Sequence, residues 1–253
     1  MTIDPLMLAA AIPAVILVGL AKGGFAGIGT LATPLLALVI SPVEAASILL
    51  PILIVQDAVS VWVFRRHWDR NVLVTMLPGA VVGILIGYGY ASRVSADAVG
   101  VVVGLISVIF ALRQFGLGAS PTDTAERSTW KGTISGIGSG FTSQIAHAGA
   151  PPFQLYVIPL RLSRDVYIGT TAIFFAIVNW LKVPAYVALG QFSGTSMRTS
   201  AMLMPLAFLS TWLGVWLVRR VPAEKFFRII YLLMILVGVR LIWSGMEHWM
   251  GGA

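Results

Sequence analysis

Four ionisable side chains in this sequence sit where hydrocarbon is expected. Lys22, Lys182 and Arg240 fall inside apolar segments or their turns, and Asp57 is the lone acid in such a place. An ionisable group at membrane depth costs ~2.5 kcal/mol or more, so it marks a functional site by default. Lys22 belongs to Gly19–Leu36, GLAKGGFAGIGTLATPLL, which carries five glycines in its first eleven residues. A second glycine-bearing stretch, Ser139–Pro152, reads SGFTSQIAHAGAPP. Glycine permits positive φ and lets another group approach the backbone closely. A half-helix that starts at membrane depth points its N–H groups and positive dipole end at a cavity. Ile28–Ile40 starts in this way after GGFAG. Phe153–Leu160 does so after HAGAPP, with Pro151 and Pro152 preset for a first turn.

Two such ends meeting near the midplane predict an anion site. The first stretch supplies Lys22, the backbone of Gly24, Gly27 and Gly29, and the hydroxyls of Thr30 and Thr33. The second supplies Ser139, Gly140, Thr142, Ser143, Gln144 and His147. Asp57, Asn179 and Lys182 are the coupling or gating candidates. Simpler readings stand beside these. The glycines can serve helix packing alone, Lys22 can snorkel to the nearer face, and His147 can be a hydrogen-bonded packing residue. Asp57 reads equally as a proton or sodium coupling group and as an ion-pair partner of Lys22 or Lys182. Lys182 can lie at the outer boundary, and Arg240 can bridge helices or snorkel. HExxH, GxSxG and the Walker GxxxxGK[ST] are all missing from the sequence, and nothing orients His147 toward Ser139, so no enzyme and no cofactor is expected.

The elements that position these residues follow from composition. The 253 residues are 58% hydrophobic and 11% charged, with a mean hydropathy of +0.91. A soluble domain carries about 25% charged residues, so the expectation is an all-α polytopic membrane protein. The basic residues are scattered between apolar segments rather than gathered on one face, which excludes a nucleic-acid binder despite the pI near 10.1. With no cysteine there is no disulfide and no thiolate metal site. Met1–Pro5 carries Asp4 and no basic residue, unlike the start of a signal peptide.

Ten apolar segments run along the chain: 6–20, 28–40, 45–64, 72–91, 98–112, 133–145, 153–160, 166–189, 199–218 and 227–243. A crossing helix needs about 20 residues. The first, second, sixth and seventh segments fall short and are joined in pairs by glycine-rich turns, which predicts two broken or re-entrant hairpins buried at the centre. SPVEAAS at Ser41 matches SRDVYIG at Ser163, and Asp57 falls opposite Asn179 at the same offset of 122. The layout, a hairpin and then three spans, occurs twice. The halves are 1–117 and 131–253, joined by a linker over 118–130.

Twelve of the 17 basic residues lie in four segments: Arg65, Arg66 and Arg70; Arg113, Arg127 and Lys131; Arg161 and Arg164; Arg219, Arg220, Lys225 and Arg228. The opposite loops hold Arg93 and Arg198. The positive-inside rule makes the first set cytoplasmic. The halves are then inverted repeats, and both termini are periplasmic. Seven tryptophans, Trp62 and Trp216 among them, sit near span ends, as interface belts place them.

These residues resemble the sulfite exporter TauE/SafE family, also called the TSUP family of anion transporters. The likeness rests on GLAKGGFAGIGTLATPLLAL from Gly19, on GTISGIGSGF over 132–141 and on the proline that follows each, and it spans essentially the whole chain in length and span count. It implies a secondary transporter, an exporter of small sulfur-containing anions such as sulfite, thiosulfate or sulfoacetate across the bacterial inner membrane by alternating access. Protons or sodium are the candidate coupling ions, and a homo-oligomer is open. Members usually carry glycine near the second hairpin tip, where this chain has TSQIAH. A passive anion channel and a scaffold without cargo are the alternatives.

Overall fold

The computed structural model describes residues 5–37, 39–90, 96–115 and 127–251. Asp4, Arg93, residues 118–126 of the expected linker and the two ends of the chain lie outside the described residues.

Each apolar segment has become a helix. The helices are α1 (Pro5–Gly23), α2 (Ala32–Ala37) with a 3₁₀ turn at Ile28–Leu31 before it, α3 (Pro42–Phe64), α4 (Arg70–Tyr90) and α5 (Ala96–Phe115). They continue as α6 (Thr129–Ala146), α7 (Ala150–Val157) with a 3₁₀ turn at Ile158–Leu160, α8 (Arg164–Ala188), α9 (Gly194–Arg220) and α10 (Ala223–Gly251). Among the described residues there is no strand, and six helices are long and apolar enough to cross a membrane. One of the six is α1, with an apolar run of 18 residues at Leu6–Gly23. This corrects the expected short segment 6–20: Ala21, Lys22 and Gly23 extend the helix beyond it, alanine and lysine being good helix formers. Each hairpin therefore has one long arm, α1 or α6, and one short return, the segments 28–37 and 150–160.

Glycine sets how closely the long arms pack. Gly79, Gly83 and Gly87 of α4 lie against α6. A Cβ at Gly83 would stand 2.1 Å from the Ile137 carbonyl oxygen, and one at Gly136 would stand 2.2 Å from that of Met76. Gly19 and Gly23 of α1 meet Ser210 and Gly214 of α9 in the same way, and Gly104 of α5 meets Gly238 of α10. Small residues let apolar helices approach until their backbones touch. The pairing recurs along the chain: α1 packs on α9 as α6 packs on α4, while α3 packs on α8 and α5 on α10. Along α3 and α8, Phe64 lies near Gly169, Asp57 touches Asn179, and Leu50 clusters with Tyr186, so these two helices run antiparallel.

The basic segments gather at one end. Arg127 donates twice to Asp69, at 3.0 and 2.7 Å, and Asp69 in turn accepts from the Val72 N–H at the start of α4. That hydrogen bond from Arg127 holds the Asp69 carboxyl below its ordinary range, and burial only partly opposes it. Thr170 accepts from the Asp69 N–H, and Arg164 donates to Val221 O. Arg65 hydrogen-bonds to Trp62 O and stacks on that ring, and Arg220 stacks on Trp216 with 4.0 Å to its centroid. Both rings are exposed, so this end presents tryptophan and arginine together, as a membrane interface requires.

Candidate functional site

The two hairpin tips, α3 and α8 enclose a cavity of about 70 Å³. That is room for roughly four or five water-sized groups. Lys22, Thr30, Thr33, Ser143, His147, Thr171 and Asn179 are its polar lining. Val18, Leu49, Leu53 and Phe175 make much of the apolar remainder.

The first hairpin turns at Gly24 and Gly27, with φ of 143° and 114°. Only glycine takes such values without strain, so these two serve the turn while Gly19 and Gly23 serve packing. Gln154, on α7, donates to Ala26 O at 3.0 Å and so ties the first tip to the second hairpin. Thr30 donates to Gly27 O at 2.7 Å. Thr33 Oγ1 is buried in the cavity wall without a hydrogen-bond partner. A buried hydroxyl normally has a partner, so this one is free for a ligand.

The second hairpin turns at His147. Its N–H bonds to Ser143 O, the 5→1 bond of an αL helix end, and the Ala148 N–H bonds to Thr142 O. His147 takes the left-handed position, φ 52°, which aims its ring away from α6 at α3 and α8. Nε2 faces the Ala46 carbonyl at 3.1 Å, which can only accept. The hydrogen-bond pattern therefore assigns the proton to Nε2 and leaves Nδ1 as an acceptor for Lys182 at 2.8 Å.

Between the tips, α3 and α8 cross at Asp57 and Asn179. Lys22 donates to Asp57 Oδ1 at 2.5 Å, and Asn179 donates to Oδ2 at 2.6 Å. Ser60 donates to Lys22 O at 2.7 Å, which fixes the end of α1 against α3. Lys22 is 12% exposed and also lies 5.3 Å from the Phe175 ring centroid. It is an ion-pair partner and does not snorkel out. Lys182 is fully buried. Its ammonium reaches Ser143 O, Ser143 Oγ and His147 Nδ1, and among the described residues it forms no salt bridge. At ordinary charges the cluster holds two cations and one carboxylate. Among the described residues no group of His, Asp and Glu could hold a metal. What this wall can hold is a small anion.

Several sequence candidates stand elsewhere. Ser139 donates to Gly149 O, Thr142 donates to Gly138 O within its own helix, Gly140 packs on Ala80, and Gln144 lies on Gly87. None of the four lines the cavity. The two expected half-helix ends are also weaker than the sequence suggested. The first begins as a 3₁₀ turn before a six-residue helix, and Pro151 and Pro152 remove two N–H donors from the first turn of α7. Side chains, not helix ends, carry most of the site's donors. Arg240 is exposed on α10, away from it. Sequence reasoning missed Ser60, Gln154, Thr171 and Phe175. Thr171, Phe175, Asn179 and Lys182 recur at spacings of four, four and three, one stripe of α8, and that period was the available signal.

Neither a curated protein nor a solved structure gives a significant match to this chain. The family model for the sulfite exporter TauE/SafE matches residues 11–241 of the 253, and this multi-pass membrane protein belongs to that family of anion transporters, which are not enzymes.

Proposed function

We propose that the protein is a secondary transporter that exports a small sulfur-containing anion, of the sulfite, thiosulfate or sulfoacetate kind, across the bacterial inner membrane by alternating access. The observation that carries this reading is the cavity between the hairpin tips, where Lys22 and the unpartnered Thr33 hydroxyl meet one cation in excess of the carboxylates. A small oxyanion would neutralise that charge and accept from Lys22, Thr33 and Asn179. Its size suits a cavity of about 70 Å³.

Residues 1–117 and 131–253 act as two inverted halves joined by the segment 118–130. The repeated helix pairing and the antiparallel crossing of α3 and α8 support this, as does the contact of Asp57 with Asn179, its partner at an offset of 122. Rocking of the halves about that crossing would expose the cavity alternately. The end that gathers Arg65, Arg127, Arg164 and Arg220 is cytoplasmic, and both termini are periplasmic.

Thermal unfolding of the purified protein with a panel of anions tests the reading. Sulfite, thiosulfate and sulfoacetate should raise the melting temperature by mass action, chloride and acetate should not, and Lys22→Ala should abolish the shift. Equal shifts with every anion, or none with any, would refute it.

A further inference from the structure

Lys182 has three neighbours, and their chemistry decides what it can do. Its Nζ lies 3.2 Å from Ser143 O, 3.1 Å from Ser143 Oγ and 2.8 Å from His147 Nδ1. As an ammonium it donates to all three. As a neutral amine it donates to the carbonyl and to Nδ1 and accepts from the Ser143 hydroxyl. The carbonyl can only accept, and Nδ1 is kept an acceptor because Nε2 faces Ala46 O. The hydroxyl is the one partner able to change roles. A single rotation about its Cβ–Oγ bond satisfies either protonation state of Lys182 with every hydrogen bond made.

That rotation is visible from the cavity. Ser143 lines it and Lys182 does not. With Lys182 neutral, the hydroxyl hydrogen points back at Nζ, and oxygen lone pairs face the cavity and repel an anion. With Lys182 protonated, the hydrogen is released to point at an anion. Charge acts in the same direction. The groups that face Lys182 are His147 from α6, Lys22 from α1, Asp57 from α3 and Tyr186 from α8, whose hydroxyl lies 3.5 Å from His147 Nε2. Lys22 and Asp57 cancel. A neutral Lys182 therefore leaves no net charge in the cluster, and a protonated one leaves a single positive charge. A buried charge without a counter-ion is strongly unfavourable, so proton and anion each raise the other's affinity, and reciprocally.

We infer that Lys182 binds a proton together with the anion: one proton enters its Nζ lone pair as each anion binds and leaves it as the anion is released. This rests on the anion-carrier reading above and names the proton as the ion whose binding is linked to that of the anion.

Calorimetric titration of the detergent-solubilised full chain, in buffers of different ionisation enthalpy, counts protons taken up per anion bound. Thiosulfate and sulfite are the probes, sulfite at alkaline pH where the free ion carries no proton. The expected uptake is about one proton per anion in the wild type. Lys182→Arg, whose guanidinium keeps its proton, should bind with no uptake. Lys182→Met should bind about tenfold or more weakly, again with no uptake. Ser143→Ala should weaken the link between pH and affinity without removing the fold. Binding by the wild type with no proton uptake overturns the inference and leaves the anion-carrier reading standing. So does persistent uptake in Lys182→Arg or, should that variant not fold, in Lys182→Met. Binding of neither anion overturns both.

Discussion

Removing the carboxylate of Asp57 should cost more than removing the whole ion pair. Asp57 is fully enclosed, and its two oxygens are committed to Lys22 at 2.5 Å and Asn179 at 2.6 Å. At an effective dielectric of ~20, two unit charges 2.5 Å apart attract by roughly 6–7 kcal/mol, and much of this only offsets their loss of water. Breaking a buried pair from one side strands the other charge and costs about 3–5 kcal/mol. Asp57→Asn strands Lys22 beside Lys182, and Lys22→Met strands Asp57. Each single variant should therefore lose about 3–5 kcal/mol. The double variant Lys22→Met/Asp57→Asn strands nothing and should lose about 1–2 kcal/mol. The assay is reversible unfolding of the detergent-solubilised protein in mixed micelles, followed by tryptophan fluorescence, as a double-mutant cycle. Additive losses in the double variant would refute the pairing and the charge balance built on it.

Other expectations follow from single contacts. Gly83→Val places a side chain 2.1 Å from the Ile137 carbonyl oxygen and should lose about 3 kcal/mol or more, or fail to yield folded protein. Gly89→Ala meets nothing within 4 Å and should match the wild type in yield and melting temperature. Thr33→Val keeps the shape but removes the free hydroxyl, and should weaken anion binding about tenfold, roughly 1–2 kcal/mol, with the melting temperature of the unliganded protein unchanged. Gln144→Ala, off the cavity wall, should leave anion affinity intact by the same titration. Asp69 has a depressed carboxyl because Arg127 hydrogen-bonds it, so this pair stabilises the fold above the ordinary aspartate range and the gain is lost as pH falls through the lowered value. Melting curves of wild type and Asp69→Asn should therefore be separate at neutral pH and converge in acid; parallel curves throughout would contradict the role of the pair.

What the sequence determined by itself is what can be read one residue at a time or along one helix. Apolar runs specify helices in lipid because backbone groups there must be satisfied within the segment. Thus the segment 166–189 became α8, and the short runs 28–40 and 153–160 became the returning arms of two hairpins. Scarcity of charge made Lys22, Asp57 and Lys182 stand out, and the offset of 122 already linked Asp57 to Asn179. Partner choice was not legible. That Lys22 pairs with Asp57, and that Lys182 turns to Ser143 and His147, depends on where α1, α3, α6 and α8 cross. Helix crossings are decided by how closely backbones approach, through contacts such as Gly83 on Ile137 and Gly19 on Ser210, between residues far apart in the chain. The same cause separated glycines that look alike: Gly136 and Gly140 press against α4, while Gly24 and Gly27 bend the tip. Composition places a polar group in the membrane, and only tertiary packing decides which side of its helix meets a partner and which meets the cavity.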